Sequence, residues 1–267
     1  MTRPKARLSR NTVTRTNKKA FLPRGRVGAL MQRDLQANRG VRQSGRENSG
    51  GLLSSATAGV GGRIMASTIP ITRNDASPEK AEAIRAAVRA ATQLGDSRLA
   101  RPEDATAFFA LLSDPAVHAP IYTLPRPLSE ASVAAFIETH IAERETGIGL
   151  LFVREGEDGR IMGYSDVQVW PHWAAGELAG ALHPSLHRQG TGARGAAASF
   201  AWMFEALQLD LLCETAALDN VATQRLLDGL GFRRMGEVKS ERPDGTTRES
   251  LVWEMTRAEW AAQHGFG

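Results

Sequence analysis

One segment constrains this chain more than any other: His183 to Gly195, reading His-Pro-Ser-Leu-His-Arg-Gln-Gly-Thr-Gly-Ala-Arg-Gly. It lies between an apolar run, Glu177 to His183, and an alanine-rich run in which Ala193, Ala196, Ala197, Phe200 and Phe204 recur at helical spacing. That pattern predicts a strand, a glycine turn and a helix over 192 to 207. Glycines let backbone N–H groups crowd inward, and the first turn of the following helix adds unpaired N–H donors and a partial positive charge. Such a junction forms a nest for a phosphate or pyrophosphate. The plainer reading, that the glycines only turn the chain, is weighed against two of them standing one residue apart at a helix start.

The surrounding order fixes the fold class. Ser77 as N-cap, Pro78, the stripe Ala81, Ile84, Val88 and Ala91, and Gly95 as a stop predict a lead-in helix. From Arg98 the reading is a short strand to Arg101, a helix opened by Pro102-Glu103-Asp104, a Pro-rich loop, and a helix from Ser129 to Arg144 with Val133, Phe136, Ile137 and Ile141 on one face. Strands follow at 150–154, 160–170 and 177–183, then the 192–207 helix, a strand at 210–215, a helix at 220–229, and a closing hairpin of 233–241 and 248–255. Thr256 to Glu259 matches a capping box that starts a last short helix. The order β-α-α-β-β-β-α-β-α-β-β is that of an α/β (or α+β) domain, a mixed sheet with helices on both faces.

Gly190, Gly192 and Gly195 also spell the dinucleotide-binding fingerprint, with Glu214 near the place of a ribose-binding acid. That fingerprint requires its first glycine straight off a buried strand, whereas Pro184 to Gln189 intervene. Only about seventy residues follow, too few for the remainder of such an enzyme.

The formal charge of +4 invites a nucleic-acid reading until the chain is divided. Residues 1–64 hold fourteen Lys and Arg against two acids, a net +12, which leaves −8 for the remainder. The folded part therefore carries no basic footprint for phosphate backbones, and its acidic surface suits an amine-bearing partner. Residues 1–64 show no sustained period and are expected to be a disordered basic extension, explained as a basic arm, a transit peptide, or a start placed upstream of Met65. Residues 65–96 read as linker and lead-in helix, and 97–267 as the main domain. No apolar run approaches the roughly 18 to 20 residues of a membrane span, and a cytoplasmic location is the expectation. The single Cys213 gives neither a disulfide nor a thiolate metal site, so no metal is expected, and it reads as a buried strand residue.

His187-Arg188-Gln189-Gly190-Thr191-Gly192 resembles the pyrophosphate loop of GNAT N-acetyltransferases, written Q/R-x-x-G-x-G/A, placed after a strand as in that family. Asn220-Val221-Ala222-Thr223 through Leu226, then Leu230-Gly231-Phe232, resembles the family's N-x-x-S/A followed by L-G-F, some thirty residues downstream. Arg98 to Asp104 and Glu259-Trp260 look like the RimJ/RimL branch, whose members acetylate protein N-termini or small amines. The resemblance covers about 170 residues. It implies the GNAT fold, a mostly antiparallel sheet of about seven strands in which one parallel pair, 177–183 and 210–215, splays apart. It further implies acetyl-CoA as co-substrate, no metal, and direct attack by an amine acceptor, with the protein a monomer or homodimer.

The same resemblance assigns candidate residues. Gly190, Thr191, Gly192 and Ala193 would hold the pyrophosphate with His187, Arg188 and Gln189, although His187 stands where the family prefers Gln or Arg. Backbone N–H groups near Leu182 and His183 are candidates to polarise the carbonyl, and Asn220 to order the loop and touch the coenzyme. A general base is sought among Glu177, His183 and Asp166, with Glu177 preferred, and Thr223 is the candidate to protonate the leaving thiolate. Trp170, His172 and Trp173 are candidates for the acceptor site. Many relatives carry a tyrosine acid seven residues after the Asn; Leu227 occupies that position here. Two other readings are an acyl-CoA-binding module of weak activity and a dinucleotide-binding oxidoreductase.

Overall fold

The computed structural model describes residues 69–121, 123–186, 191–241 and 247–265. Helix α1, Pro78–Ala90, starts where Ser77 accepts a hydrogen bond from the Lys80 amide and buries Ile84 and Val88. It stops at Ala90, short of Gly95. That glycine instead turns a two-strand hairpin of β1, Gln93–Leu94, and β2, Ser97–Leu99, with φ +54°, a region open to few other residues. After a 3-10 turn at Pro102–Asp104 come α2, Ala105–Leu112, the single turn α3, Pro115–His118, and α4, Glu130–Thr146. Arg98 forks onto Asp104 at 2.7 and 2.8 Å, pinning β2 to the start of α2.

Three strands follow: β3, Gly149–Glu155, β4, Ile161–Trp170, and β5, Ala175–Leu182. Helix α5, Thr191–Glu205, leads to β6, Leu211–Ala217, and α6, Val221–Gly229, to β7, Arg233–Glu241, and β8, Thr247–Thr256. The Thr256–Glu259 capping box opens α7, Arg257–His264. The sheet has eight strands in the order β1-β2-β3-β4-β5-β6-β8-β7, one more than expected because the two-residue β1 pairs with β2. Every pairing is antiparallel except β5 with β6.

Both faces are covered. On one, Ile84 and Val88 of α1, Phe200 and Phe204 of α5, Leu227 of α6 and Trp260 of α7 pack on Leu150, Val167, Leu212 and Trp253. On the other, α2 and α4 bring Phe108, Val133 and Ile137 onto Leu151, Val153 and Tyr164. The sheet's far end on that second face is covered by the segment before α1. There Ile69 is fully buried against Cys213 and Val252, and the amides of Ile71 and Thr72 donate to Glu254 Oε1 at 2.7 and 2.9 Å. Cys213 is buried, as its strand position suggests. Among the described residues no helix is long and apolar enough to cross a membrane.

Candidate active site

Strands β5 and β6 pair at Ala175–Leu211 and Gly176–Leu212, and then part. Beyond that point the β5 edge has no β6 ladder, and side chains bridge the opening instead. The Leu178 amide donates to Glu214 Oε1 at 3.1 Å. On the opposite face Thr215 Oγ1 donates to Glu177 Oε1 at 2.9 Å. All three side chains are buried. Burial, and after it the neighbouring Glu177, push the Glu214 carboxyl well above the ordinary range, against the pull of the Leu178 N–H bond.

Amides along a strand edge alternate in direction. His183 N donates to Met162 O at 2.8 Å, so it faces β4. The expectation that the His183 amide polarises a substrate carbonyl is thereby corrected: the donors on the opened side are every second residue, Leu178, Gly180 and Leu182. Gly180 sits where a Cβ would come within 2.3 Å of Tyr164 O, so only glycine keeps this stretch flat against β4.

A cleft of about 400 Å³ runs from the β5 end to the first turns of α5, lined among others by Gly180, Leu182, Gly192, Gly195, Ser199 and Trp202. A Cβ at Gly195 would meet nothing within 4 Å, so the helix is stripped of side chain where it faces the cleft. Thr191, Gly192 and Ala193 form the first turn of α5. His187, Arg188, Gln189 and Gly190 lie outside the described residues.

The remaining sequence candidates divide. Asn220 caps α6, accepting from the Thr223 amide at 3.1 Å, and Thr223 is buried in the first turn of that helix, one turn before Leu227. Trp170, His172 and Trp173 sit at the paired end of the fork, beneath residues 69–76. Trp170 packs with Ile69 and Cys213, and Arg73 stacks on Trp173 at 4.5 Å. His172 O accepts from the Ala76 amide, while burial and then Arg85 hold the imidazole below its usual value.

One pair was only half visible beforehand. Asp166, named by strand position, is buried on β4 two residues from Gln168, the cross-strand partner of Glu177. Its partner, unforeseen, is His140 of α4: Nε2 lies 3.0 Å from Asp166 Oδ1, and Nδ1 lies 2.7 Å from Phe136 O. The ring is thus held at both nitrogens, by a helix carbonyl on one side and a strand carboxyl on the other. The spacing Val133, Phe136, Ile137, His140 was the available signal, since it continues the apolar stripe with one polar residue. Near this pair the buried Tyr164 hydroxyl has no hydrogen-bond partner among the described residues, and burial followed by Asp166 raises the phenol well above its usual value. Among the described residues no group of three or more His, Cys, Asp or Glu is placed to hold a metal ion.

Comparison with known proteins adds the following. A family model described as Acetyltransferase (GNAT) domain matches residues 97–233, just over half of the chain. No curated protein matches. Among solved structures, the ribosomal-protein-S5-alanine acetyltransferase from Vibrio fischeri aligns with TM-score 0.53 and 17% identity, over 61% of this chain and 93% of that one. Mycobacterium smegmatis RimJ, solved with a CoA disulfide, gives 0.53 and 22% over 61% and 82%. The spermidine N-acetyltransferase SpeG from Vibrio cholerae gives 0.50 and 16% over 61% and 96%. At these identities the likeness is one of fold.

Proposed function

The chain belongs to the GNAT acetyltransferase family, and from that premise we propose that it transfers an acetyl group from acetyl-CoA to a primary amine by direct attack in a ternary complex. The observation that carries the reading is the fork, where a strand edge opened at Leu178 leads directly into the glycine-lined start of α5. The acceptor class is a protein N-terminus or a small-molecule amine. Solved neighbours include enzymes named for ribosomal-protein and spermidine acetylation, and the net −8 of residues 65–267 favours a cationic acceptor.

Thioester aminolysis asks three things of the protein: alignment of the two reactants, stabilisation of the carbonyl oxygen as it gains charge, and removal of a proton from the attacking nitrogen. The cleft between β5 and α5 would hold the coenzyme, with the α5 first turn at Thr191, Gly192 and Ala193 turned to its diphosphate. The Gly180 and Leu182 amides supply donors on the opened edge for the pantetheine and the carbonyl. Glu177 is the base: it stands in the fork, oriented by the Thr215 hydroxyl, on the face where Asp166 and His140 add a second buried polar pair. Thr223 offers a hydroxyl beside the departing sulfur.

Two measurements decide the matter. Calorimetry with acetyl-CoA is expected to show a single site. A thiol-release assay over spermidine, free amino acids and N-terminal peptides is expected to find turnover with at least one. Binding without turnover by any of them would favour an acyl-CoA-binding module, and an absence of binding would end the proposal.

A further inference from the structure

Glu214 is the one acid of the fork to which the reading above gives no task. It is fully buried on β6, two residues past the last paired position, and its Oε1 takes the Leu178 N–H where a backbone carbonyl would stand had the strands stayed together. Its Oε2 is buried and has no hydrogen-bond partner among the described residues. A buried carboxyl oxygen is costly to leave so, and an atom of this kind at a site edge points to something that arrives. Glu214 projects from the face that carries Leu212 and Ala216, and these share a core cluster with Leu227 and Trp253. Leu227 brings no hydroxyl to this face. Thr223, one turn earlier on α6, carries one, but an aliphatic hydroxyl is a far weaker acid than a carboxyl.

We propose that Glu214 is the acid partner of Glu177, delivering through its carboxyl O–H the proton that the departing coenzyme sulfur takes up. The inference rests on the acetyl-CoA reading of the site. At the start Glu177 is a carboxylate and Glu214 a carboxylic acid with its proton on Oε2. The amine nitrogen bonds to the acetyl carbon and loses a proton to Glu177; the C–S bond breaks, and the sulfur takes the proton of Glu214. The pair then stands reversed, Glu177 protonated and Glu214 ionised, and passage of one proton across the fork restores it. No net proton is gained or lost: amine and thioester become amide and thiol.

The surroundings fit a neutral Glu214. From β5 the Glu177 carboxyl, on the other face of the fork, opposes ionisation of Glu214. Opposite on β8 is Trp253, whose Nε1 donates to Asp228 of α6 and whose ring carries the Arg234 guanidinium at 5.5 Å, so that cation is already matched by Asp228. The residues that α6 buries are Thr223 and the apolar Leu227, and its Asp228 is taken up by Trp253 and Arg234. Burial acts in the same direction as Glu177, and both keep the proton on.

The test is Glu214→Gln, which preserves size and can still accept from the Leu178 amide. Expected are an acetyl-CoA dissociation constant within about threefold of the unaltered protein and a kcat lowered by about a hundredfold, the usual scale for loss of an acid. The unaltered protein is expected to lose kcat as pH rises through the Glu214 value, and the variant to lack that alkaline decline, which a merely structural role leaves in place. Infrared spectroscopy of the full chain at neutral pH needs no acceptor and no variant activity. It is expected to show a protonated carboxyl stretch that Glu214→Gln removes. A kcat within about threefold with the alkaline limb intact, or no such stretch in the unaltered protein, overturns the proposal. Failure of the unaltered protein to bind acetyl-CoA overturns instead the reading beneath it, and the acid role with it.

Discussion

Removing residues 69–96 is expected to unfold the domain, although the family model begins only at residue 97. Ile69, Ile84 and Val88 are fully inaccessible and Leu94 nearly so. Burying each such side chain contributes about 1.5 to 3 kcal/mol, so the four together supply about 6 to 12 kcal/mol. Allowing for apolar surface already covered in the unfolded chain reduces this by roughly a third, to about 4 to 8 kcal/mol. Deletion also takes away the Ile71 and Thr72 amides that bind Glu254, leaving a buried carboxylate short of two donors at about 1 to 3 kcal/mol more. The total matches the whole stability of a domain this size, about 5 to 15 kcal/mol. Chains starting at Ile69 and at Ser97 are to be compared with the full chain by urea unfolding, followed by far-UV circular dichroism and tryptophan fluorescence. The first is expected to unfold cooperatively near the full-length midpoint, the second to show no cooperative transition. A chain starting at Ser97 whose free energy of unfolding falls within about 2 kcal/mol of the longer one would refute the reasoning, because the α1 contacts would then be replaceable.

Further outcomes are expected at single residues. Glu177→Gln should slow turnover by about one to three orders of magnitude with acetyl-CoA affinity unchanged, as loss of a general base does; a rate within about twofold removes Glu177 from the mechanism. Gly195→Leu should strengthen α5 by relieving a helical glycine of about 0.5 to 1 kcal/mol, yet weaken acetyl-CoA binding at least tenfold by filling the cleft, and unchanged calorimetric affinity would separate that cleft from the coenzyme. His140→Leu removes the ring that bridges Phe136 O and Asp166 Oδ1 and should destabilise by about 1 to 3 kcal/mol in urea; a change below about 0.5 kcal/mol would deny the bridge a structural role. For Asp104, burial pushes the carboxyl up, but hydrogen bonds from Arg98 and the Arg101 amide outweigh it and hold the value below the ordinary range. Stability from this group is therefore full above the unfolded carboxylate value and lost as pH falls through the folded one, so Asp104→Asn should be less stable near neutrality and flatter in acid. Parallel acid profiles for the two proteins would deny the pair that role.

Most of the element order was legible because proline, glycine and capping residues punctuate it: Ser77-Pro78, Ser129 and Thr256 each start a helix where the side chain meets an orphan amide. What escaped was short. The four residues of α3 make one turn and carry no period, and β1 exists only because Gln93 and Leu94 find β2 across Gly95. Gly95 itself was read as a helix stop because the left-handed conformation ends helices and turns hairpins alike, and only the strand partner distinguishes the two uses. The packing of Ile69 on Cys213 and Val252 joins residues more than 140 apart, beyond any local pattern.

The site divides along the same physical line. The strand position of Glu177, ahead of the glycine turn, was legible, since a single strand suffices to locate it. Glu214 and Thr215 were not legible as its neighbours, because their relation to Glu177 depends on where the parallel pairing stops. Had the ladder continued past Gly176–Leu212, the Leu178 amide would donate to a β6 carbonyl, and the Glu214 and Thr215 side chains would sit one on each face with no bond across the sheet. Splaying exchanges backbone partners for side-chain partners, and each of the two bonds that cross the gap ends on a carboxyl group. An opening lined by aliphatic residues would leave the Leu178 amide unsatisfied and would separate the two strands without holding their distance. A carboxyl on each face holds the fork instead: Glu214 satisfies that amide, and Glu177 takes the Thr215 hydroxyl. The feature that parts the strands is thus also the one that brings two buried carboxyls to the opening.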